Sequence, residues 1–330
     1  MDLRLKDFQY LDFLPVVTGE IKKTCQGMHD NLDLHSDIEH FLDSFLSTST
    51  LTEWNPSHIY PLLPLFCCEA AQGDPVRAIP VSAAWMAFYL AAHLLDAFED
   101  NEPPKYSTKH SGKAGILNLS TGLMMAAELI LDALEDHGID PITARAIRTR
   151  LHKTIFEMCS GQHSDLQTQS PGIHVSLKIA GAKSGSFFSA ACYSGAILAM
   201  DDPGQLNCFS SFGYQLGMIV QIEDDISDFL DRDGRNNDLA RGKWNLPVAY
   251  ALEVLSAEAT HQLKGLLVEA KVDRTAEETA RQIILDAGAI LFLDLELKKR
   301  YRLAEIAIRQ LQLSPSGHQT LQDILDELIA

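Results

Sequence analysis

Four acids stand within six residues at Glu223, Asp224, Asp225 and Asp228, inside Gln221-Ile222-Glu223-Asp224-Asp225-Ile226-Ser227-Asp228-Phe229. Phe212, Leu216, Ile219, Val220 and Ile226 lead into and through this stretch at roughly helical spacing. On a helix, Asp224 and Asp228 are four apart and Asp225 and Asp228 three apart, so three carboxylates crowd one face. Their mutual repulsion costs stability unless a cation neutralises it. Hard cations such as Mg2+ take oxygen ligands of this kind and commonly bring a phosphate-bearing substrate.

A second group follows the same logic. In His93-Leu94-Leu95-Asp96-Ala97-Phe98-Glu99-Asp100, the acids Asp96, Glu99 and Asp100 fall at i, i+3 and i+4, again on one face. Acids at a helix end are as often a plain solvated face, so neither group decides anything alone. Together they do more, because each follows strongly apolar helical sequence. Two such helices facing each other would make a carboxylate cage for several Mg2+ ions and a diphosphate. After the Asp224 group, Arg232, Arg235, Arg241 and Lys243 lie in a polar stretch from Asp231 to Lys243, which reads as a lid whose cations reach a bound diphosphate. A calcium loop fails there, since Phe229 and Ala240 would occupy its first and twelfth ligand positions.

The elements that must position these groups read as helices almost throughout. Sustained strand alternation is missing from the sequence, and apolar periodicity predicts helices over 17–29, 36–46, 60–71, 81–100, 116–134, 141–160, 183–200 and 205–230. Further helices are predicted over 245–255, 257–270, 275–297 and 298–311, with the C-terminal tail helical as well. The expectation is one all-α domain over 1–330, with residues 1–50 as N-terminal helices. The apolar run Ile79–Leu95 contains Pro80, Ser82 and His93 and reads as a core helix, not a membrane span.

Composition narrows the partners. The formal net charge of −18 disfavours nucleic acid and anionic membranes, so a phosphate-bearing substrate must be held by metal ions or a local cluster of bases. Six cysteines without a CxxC pair read as buried, reduced thiols of a cytoplasmic protein, and the N-terminus shows no apolar signal core.

The run Phe212-Gly213-x-x-Leu216-Gly217-x-x-x-Gln221-Ile222-x-Asp224-Asp225-Ile226-x-Asp228 is similar to the second aspartate-rich motif of the trans-isoprenyl diphosphate synthase (polyprenyl synthetase) family. Asp238-Leu239-x-x-Gly242-Lys243-x-x-Leu246-Pro247 resembles the segment that follows it there. Lys183-Ser184 and Gly161-Gln162 match that family's Lys-Thr and Gly-Gln pairs, and the resemblance runs from about Pro61 to Leu252. It implies an all-α isoprenoid synthase fold around a central apolar cavity, a homodimer, and Mg2+ ions, about three, bound with the diphosphate of an allylic substrate. By position it assigns Asp96, Asp100, Asp224, Asp225 and Asp228 to metal, and Lys183, Gln221 and Lys243 to the diphosphate. Glu99 is a further metal candidate, and Gln162, Arg235 and Arg241 further substrate contacts.

Two departures direct the functional reading. The first family motif, Asp-Asp-x-x-Asp, here reads Asp96-Ala97-Phe98-Glu99-Asp100, one carboxylate short. The basic runs that hold isopentenyl diphosphate are replaced by Pro56-Ser57-His58-Ile59-Tyr60-Pro61 and by Asn101-Glu102-Pro103-Pro104-Lys105. A second diphosphate, with about three negative charges, has little to hold it without bidentate arginines. The expectation is therefore ionisation of one allylic prenyl diphosphate without isopentenyl diphosphate, first as a terpene synthase or cyclase. The alternatives are a prenyltransferase, either chain-elongating or acting on a non-isoprenoid acceptor, and a non-catalytic regulatory subunit.

Small Ala91 and Ala92 followed by bulky Phe88 and Trp85 up the helix, at about 5.4 Å per turn, predict a pocket floor for a C15–C20 chain. Phe88, Tyr89, Phe187 and Tyr214 are candidates to face the allylic cation.

Overall fold

The structure is a computed structural model that describes residues 12–26, 33–48, 59–100, 104, 106–109, 112–167, 172–230, 239 and 244–327. Among the described residues every regular element is a helix, so the fold is all-α as expected. In chain order these are α1 (Phe13–Gln26), α2 (Asp33–Thr48), α3 (Leu63–Ala70), α4 (Ile79–Glu99), α5 (Lys113–Asp132), α6 (Pro141–Gln167), α7 (Ile173–Ala180) and α8 (Ser186–Ala196). Then follow α9 (Pro203–Leu230), α10 (Leu246–Val254), α11 (Ala257–Glu269), α12 (Arg274–Asp286), α13 (Ala289–Gln310) and α14 (Pro315–Glu327). A single π-helical turn, Gly181–Gly185, joins α7 to α8.

By contact density the chain divides into two compact units. One comprises Met1–Leu151, Ala191–Phe209 and Gln310–Ala330, the other His152–Ala190 and Ser210–Arg309. In the first unit α4 is the centre. Every residue from Pro80 to Ala91 is buried, which is the all-round burial expected of an apolar helix inside a core. It packs mainly on α5, with α1 beside both. Both α4 with its preceding turn and α5 are long and apolar enough to span a bilayer, but 72% of the first one's apolar window is buried inside the protein.

In the second unit, Phe229 of α9 sits in a core with Leu239, Val248, Leu263, Ala280 and Ile284. Arg281 lies within it, only 1% exposed, donating to Glu277 over 2.8 Å with its guanidinium 5.2 Å from the Phe229 ring centre.

Several predicted boundaries are corrected. The apolar spacing over 275–297 is broken at Gly288, whose φ of +81° lies in the left-handed region and ends α12 in the manner of a C-cap glycine. The second half joins the predicted 298–311 helix to form α13. The predicted 183–200 helix begins earlier, as α7 and the π turn, and ends at Ala196. The first turn of the predicted 60–71 helix is 3-10, Tyr60–Leu62, with Pro61 in it. α6 runs seven residues beyond the predicted Ser160, through a polar tail without apolar signal.

All six cysteines are free, but only Cys67, Cys68 and Cys192 are buried, whereas Cys159 is exposed. Burial pushes the Cys68 thiol up to about 12 and, with Glu39 adding to it, the Cys25 thiol up to about 11.

The buried Arg281–Glu277 pair gives a stability prediction. Glu277→Leu leaves the Arg281 charge buried and short of its carboxylate, and is expected to lower the unfolding free energy by about 3 kcal/mol in urea denaturation. Glu277→Leu combined with Arg281→Met is expected to lose clearly less; a double variant as unstable as the single one contradicts the pairing.

Candidate active site

The acid-bearing end of α9 is built by a stripe of buried side chains at Phe212, Leu216, Ile219, Ile222, Ile226 and Phe229, each three or four residues from the last. That register turns Asp224 outward to solvent and leaves Gln221, Asp225 and Asp228 half-buried on the same side. Glu223 stands apart from them. Burial, with Asp294 of α13 adding like charge, raises the Glu223 carboxyl above its ordinary value.

Asp225 is tied down at both oxygens. Its Oδ2 accepts from the backbone N–H of Leu246 at 2.8 Å, the first residue of α10. Its Oδ1 accepts from Gln221 Nε2 at 2.9 Å, one turn back on α9. Gln221 Oε1 in turn accepts from Ser184 Oγ at 2.7 Å, so the chain of bonds reaches the π turn. The start of a helix leaves backbone N–H groups without intrahelical partners and is positively polarised. Asp225 supplies an acceptor and a negative charge there, while Asn245 caps the same helix by accepting from the Val248 N–H at 3.3 Å. Asp225 therefore welds the end of α9 to the beginning of α10, and Asp224 is the carboxylate presented outward.

The π turn packs hard against α9. A Cβ at Gly217 would stand 2.3 Å from the Ser184 carbonyl oxygen, so only glycine allows the two backbones this approach. Tyr214 lays its ring over Gly181 and Gly185. Within the turn, Lys183 is half-buried and pairs with Asp165 of α6 at 2.9 Å. Single π turns occur frequently at functional sites, since the widened backbone re-aims side chains. Here it brings Lys183 and Ser184 to α6 and α9.

In the first unit, Asp96 and Glu99 are exposed and Asp100 is half-buried. They occupy the last turn of α4, where Asp100 is the C-cap and its N–H donates to the Asp96 carbonyl at 2.9 Å. Upstream, Phe88 and Tyr89 are buried and Ala92 half-buried. Tyr89 stacks on Trp85 at 5.5 Å and meets His93 edge-on at 4.4 Å. Phe187 is buried and Gln162 half-buried. Lys243, Arg235 and Arg241, with the rest of the expected lid except the buried Leu239, lie outside the described residues.

Among the described residues no three His, Cys, Asp or Glu side chains converge on one point that would hold an ion unaided. The donor set is nonetheless all oxygen, on acidic helix ends. Mg2+ retains much of its water and binds through one or two carboxylates together with substrate phosphates. By donor chemistry, the acids of either helix end fit a Mg2+ ion that arrives with a diphosphate.

Sequence reasoning missed the Leu246 N–H, Asp294 and Arg281. Each reaches α9 from far along the chain, and spacing along one helix carries no signal of them.

Fold and motif together define an isoprenoid-synthase-type α-helical protein. Residues 105–284 match the polyprenyl synthetase family, and the chain belongs to it. A geranylgeranyl diphosphate synthase from Mycobacterium tuberculosis is 31% identical over 230 residues, covering 66% of this chain and 63% of that enzyme, so less than two thirds of that relative's length is spanned. The tryptophan prenyltransferase ComQ of Bacillus subtilis is 25% identical over 179 residues, 52% of this chain and 57% of that one. Among solved structures, a polyprenyl synthetase from Streptomyces coelicolor A3(2) superposes with a TM-score of 0.81 at 18% identity, over 99% of this chain and 98% of that one.

The two neighbouring aspartates should respond differently to neutralisation. In Asp225→Asn, the negative charge at the start of α10 is lost and one acceptor oxygen remains where two were used. A loss of about 1–3 kcal/mol is expected in chemical denaturation. Exposed Asp224→Asn, which touches neither the Leu246 N–H nor the Gln221 amide, is expected to lose clearly less. Equal losses at both positions would contradict the welding role of Asp225.

Proposed function

We propose that this chain is a Mg2+-dependent prenyltransferase that ionises an allylic prenyl diphosphate of C15–C20 length and passes the prenyl group to an acceptor other than isopentenyl diphosphate. The observation that carries the reading is the fixed end of α9, where Asp225 is fastened at both oxygens and Asp224 is exposed beside it. The proposed metal-holding residues are Asp224 and Asp228, with Asp96, Glu99 and Asp100 on α4. Asp225, Gln221 and Ser184 hold the geometry.

The chemistry supplied by bound Mg2+ is Lewis-acid stabilisation of the charge that develops on the departing diphosphate. Lys183, held by Asp165, offers its ammonium to the same oxygens, and Lys243, Arg235 and Arg241 are the further cations proposed for the diphosphate. Gln162 orients the diphosphate. In this reading Phe88, Tyr89 and Ala92 of the first unit and Phe187 and Tyr214 of the second are the candidates to face the prenyl tail, their aromatic faces offering cation–π contact to the allylic cation.

The acceptor follows from what the sequence does not carry. Neither 56–61 nor 101–105 contains an arginine for a second diphosphate. Relatives named for diphosphate synthesis and for tryptophan prenylation both lie within matching distance, which supports a family scaffold that serves different acceptors. The same missing arginines favour one second reading, cyclisation of the cation as in a terpene synthase. We place the chain in the cytoplasm as a homodimer acting through one catalytic domain.

Incubation with C15 and C20 allylic diphosphates and Mg2+, alone, with isopentenyl diphosphate, and with a tryptophan-containing peptide, separates the readings. Released diphosphate with a prenylated acceptor is the expected outcome. A hydrocarbon or alcohol formed from the allylic substrate alone establishes the second reading, and a longer prenyl diphosphate refutes both. Asp224→Ala is expected to lower turnover about 100-fold or more.

A further inference from the structure

α13 is apolar on two faces. Its inner face, Leu293, Leu297, Ala304 and Ile308, is buried. At about 100° per residue, Leu291, Leu295, Lys298, Arg302, Ile306 and Arg309 fall on a strip about 80° wide on the opposite side. Leu291 is 67% exposed, Leu295 57% and Ile306 47%, and Lys298, Arg302 and Arg309 are exposed between and beyond them. Packing among the described residues does not account for aliphatic side chains left in water in this order. Lys299 borders the strip and pairs with Glu296, while Arg309 pairs with Glu305 at 3.3 Å. Asp294 and Glu305 lie on its flank, so the strip itself carries only cations and aliphatic groups.

We propose that this outer strip of α13 docks the protein onto an anionic lipid surface. A strip of interleaved aliphatic and basic side chains, about 27 Å from Leu291 to Arg309, needs a partner offering apolar depth and negative charge together. A bilayer interface does so: leucine and isoleucine enter below the headgroups, and lysine and arginine stems lie along the apolar surface with their charges at the phosphates. A second copy of the chain is a poor fit, because self-pairing of this face brings its cations against one another.

The net charge of −18 repels an anionic membrane at a distance. Charges interact over only about 8–10 Å at physiological salt, so at contact the strip's own cations govern. The inference rests on α13 alone; with the proposed function, it also sets the protein beside the membrane in which prenyl chains dissolve.

The test is vesicle flotation of the full chain with phosphatidylcholine vesicles and with vesicles that also contain phosphatidylglycerol. Binding is expected to the anionic vesicles at low salt, to weaken at high salt, and to be weak on the neutral ones. Lys298→Glu with Arg302→Glu is expected to cut the bound fraction about tenfold or more. Leu291→Ser with Leu295→Ser is expected to reduce it as well, and the milder Arg302→Gln to a smaller degree, each with an unchanged circular dichroism spectrum. Failure of the parent to float with anionic vesicles overturns the proposal, as does binding indifferent to both double variants. A charge-reversal variant that changes the sedimenting mass and not vesicle binding assigns the strip to self-association and overturns it too.

Discussion

A carboxylate near the C-terminal end of a helix faces the negative pole of the helix and the unpaired carbonyls there. This protein accepts that penalty twice, at Asp96, Glu99 and Asp100 on the last turn of α4 and at Asp224, Asp225 and Asp228 in the last two turns of α9. The acids also repel one another within each group. Folding alone gains little from such an arrangement. It becomes sensible when a cation is present, and the surroundings of α9 are constructed so that the helix end stays in place without one.

How it stays in place is visible in the hydrogen bonds. The repulsive member that cannot be moved outward, Asp225, is placed at the positive end of α10, and Gln221 and Ser184 extend that anchor to the π turn. One turn further, Phe229 is locked into the core with the buried Arg281 over its ring. Asp224 and Asp228 are thereby carried on a rigid support while their side chains remain partly accessible. Preorganised carboxylates lose little entropy when a metal–diphosphate complex arrives, which is where a weak, water-rich ligand such as Mg2+ gains its affinity.

Much of this was legible in the sequence. The helical class and the two acid groups followed from residue type and spacing, whereas Gln221 and Lys183 were singled out only by the family resemblance, and their bonds to Asp225 and Asp165 were not foreseen. The anchoring of Asp225 did not, because its partner is a backbone N–H of Leu246, which no side-chain pattern reports. The break at Gly288 was hidden by apolar spacing that continues across it, although a glycine between two periodic segments is itself the signal of a C-cap. The π turn was invisible because apolar periodicity does not distinguish one widened turn from an α-helix, and the end of α6 because its last turns carry no apolar face. The net charge of −18 is a property of the whole chain and says nothing of how the basic and aliphatic side chains are ordered along α13.

Linkage between Mg2+ and diphosphate tests the central account most directly. If the acid-bearing helix ends are a site for the metal and the diphosphate together, each must raise the affinity of the other by the same factor. Calorimetric titration of Mg2+ into the protein with and without inorganic diphosphate is predicted to show weak binding alone and at least about tenfold tighter binding with diphosphate, lost in Asp224→Ala. Equal Mg2+ affinity in both titrations, or coupling that survives that substitution, would contradict it.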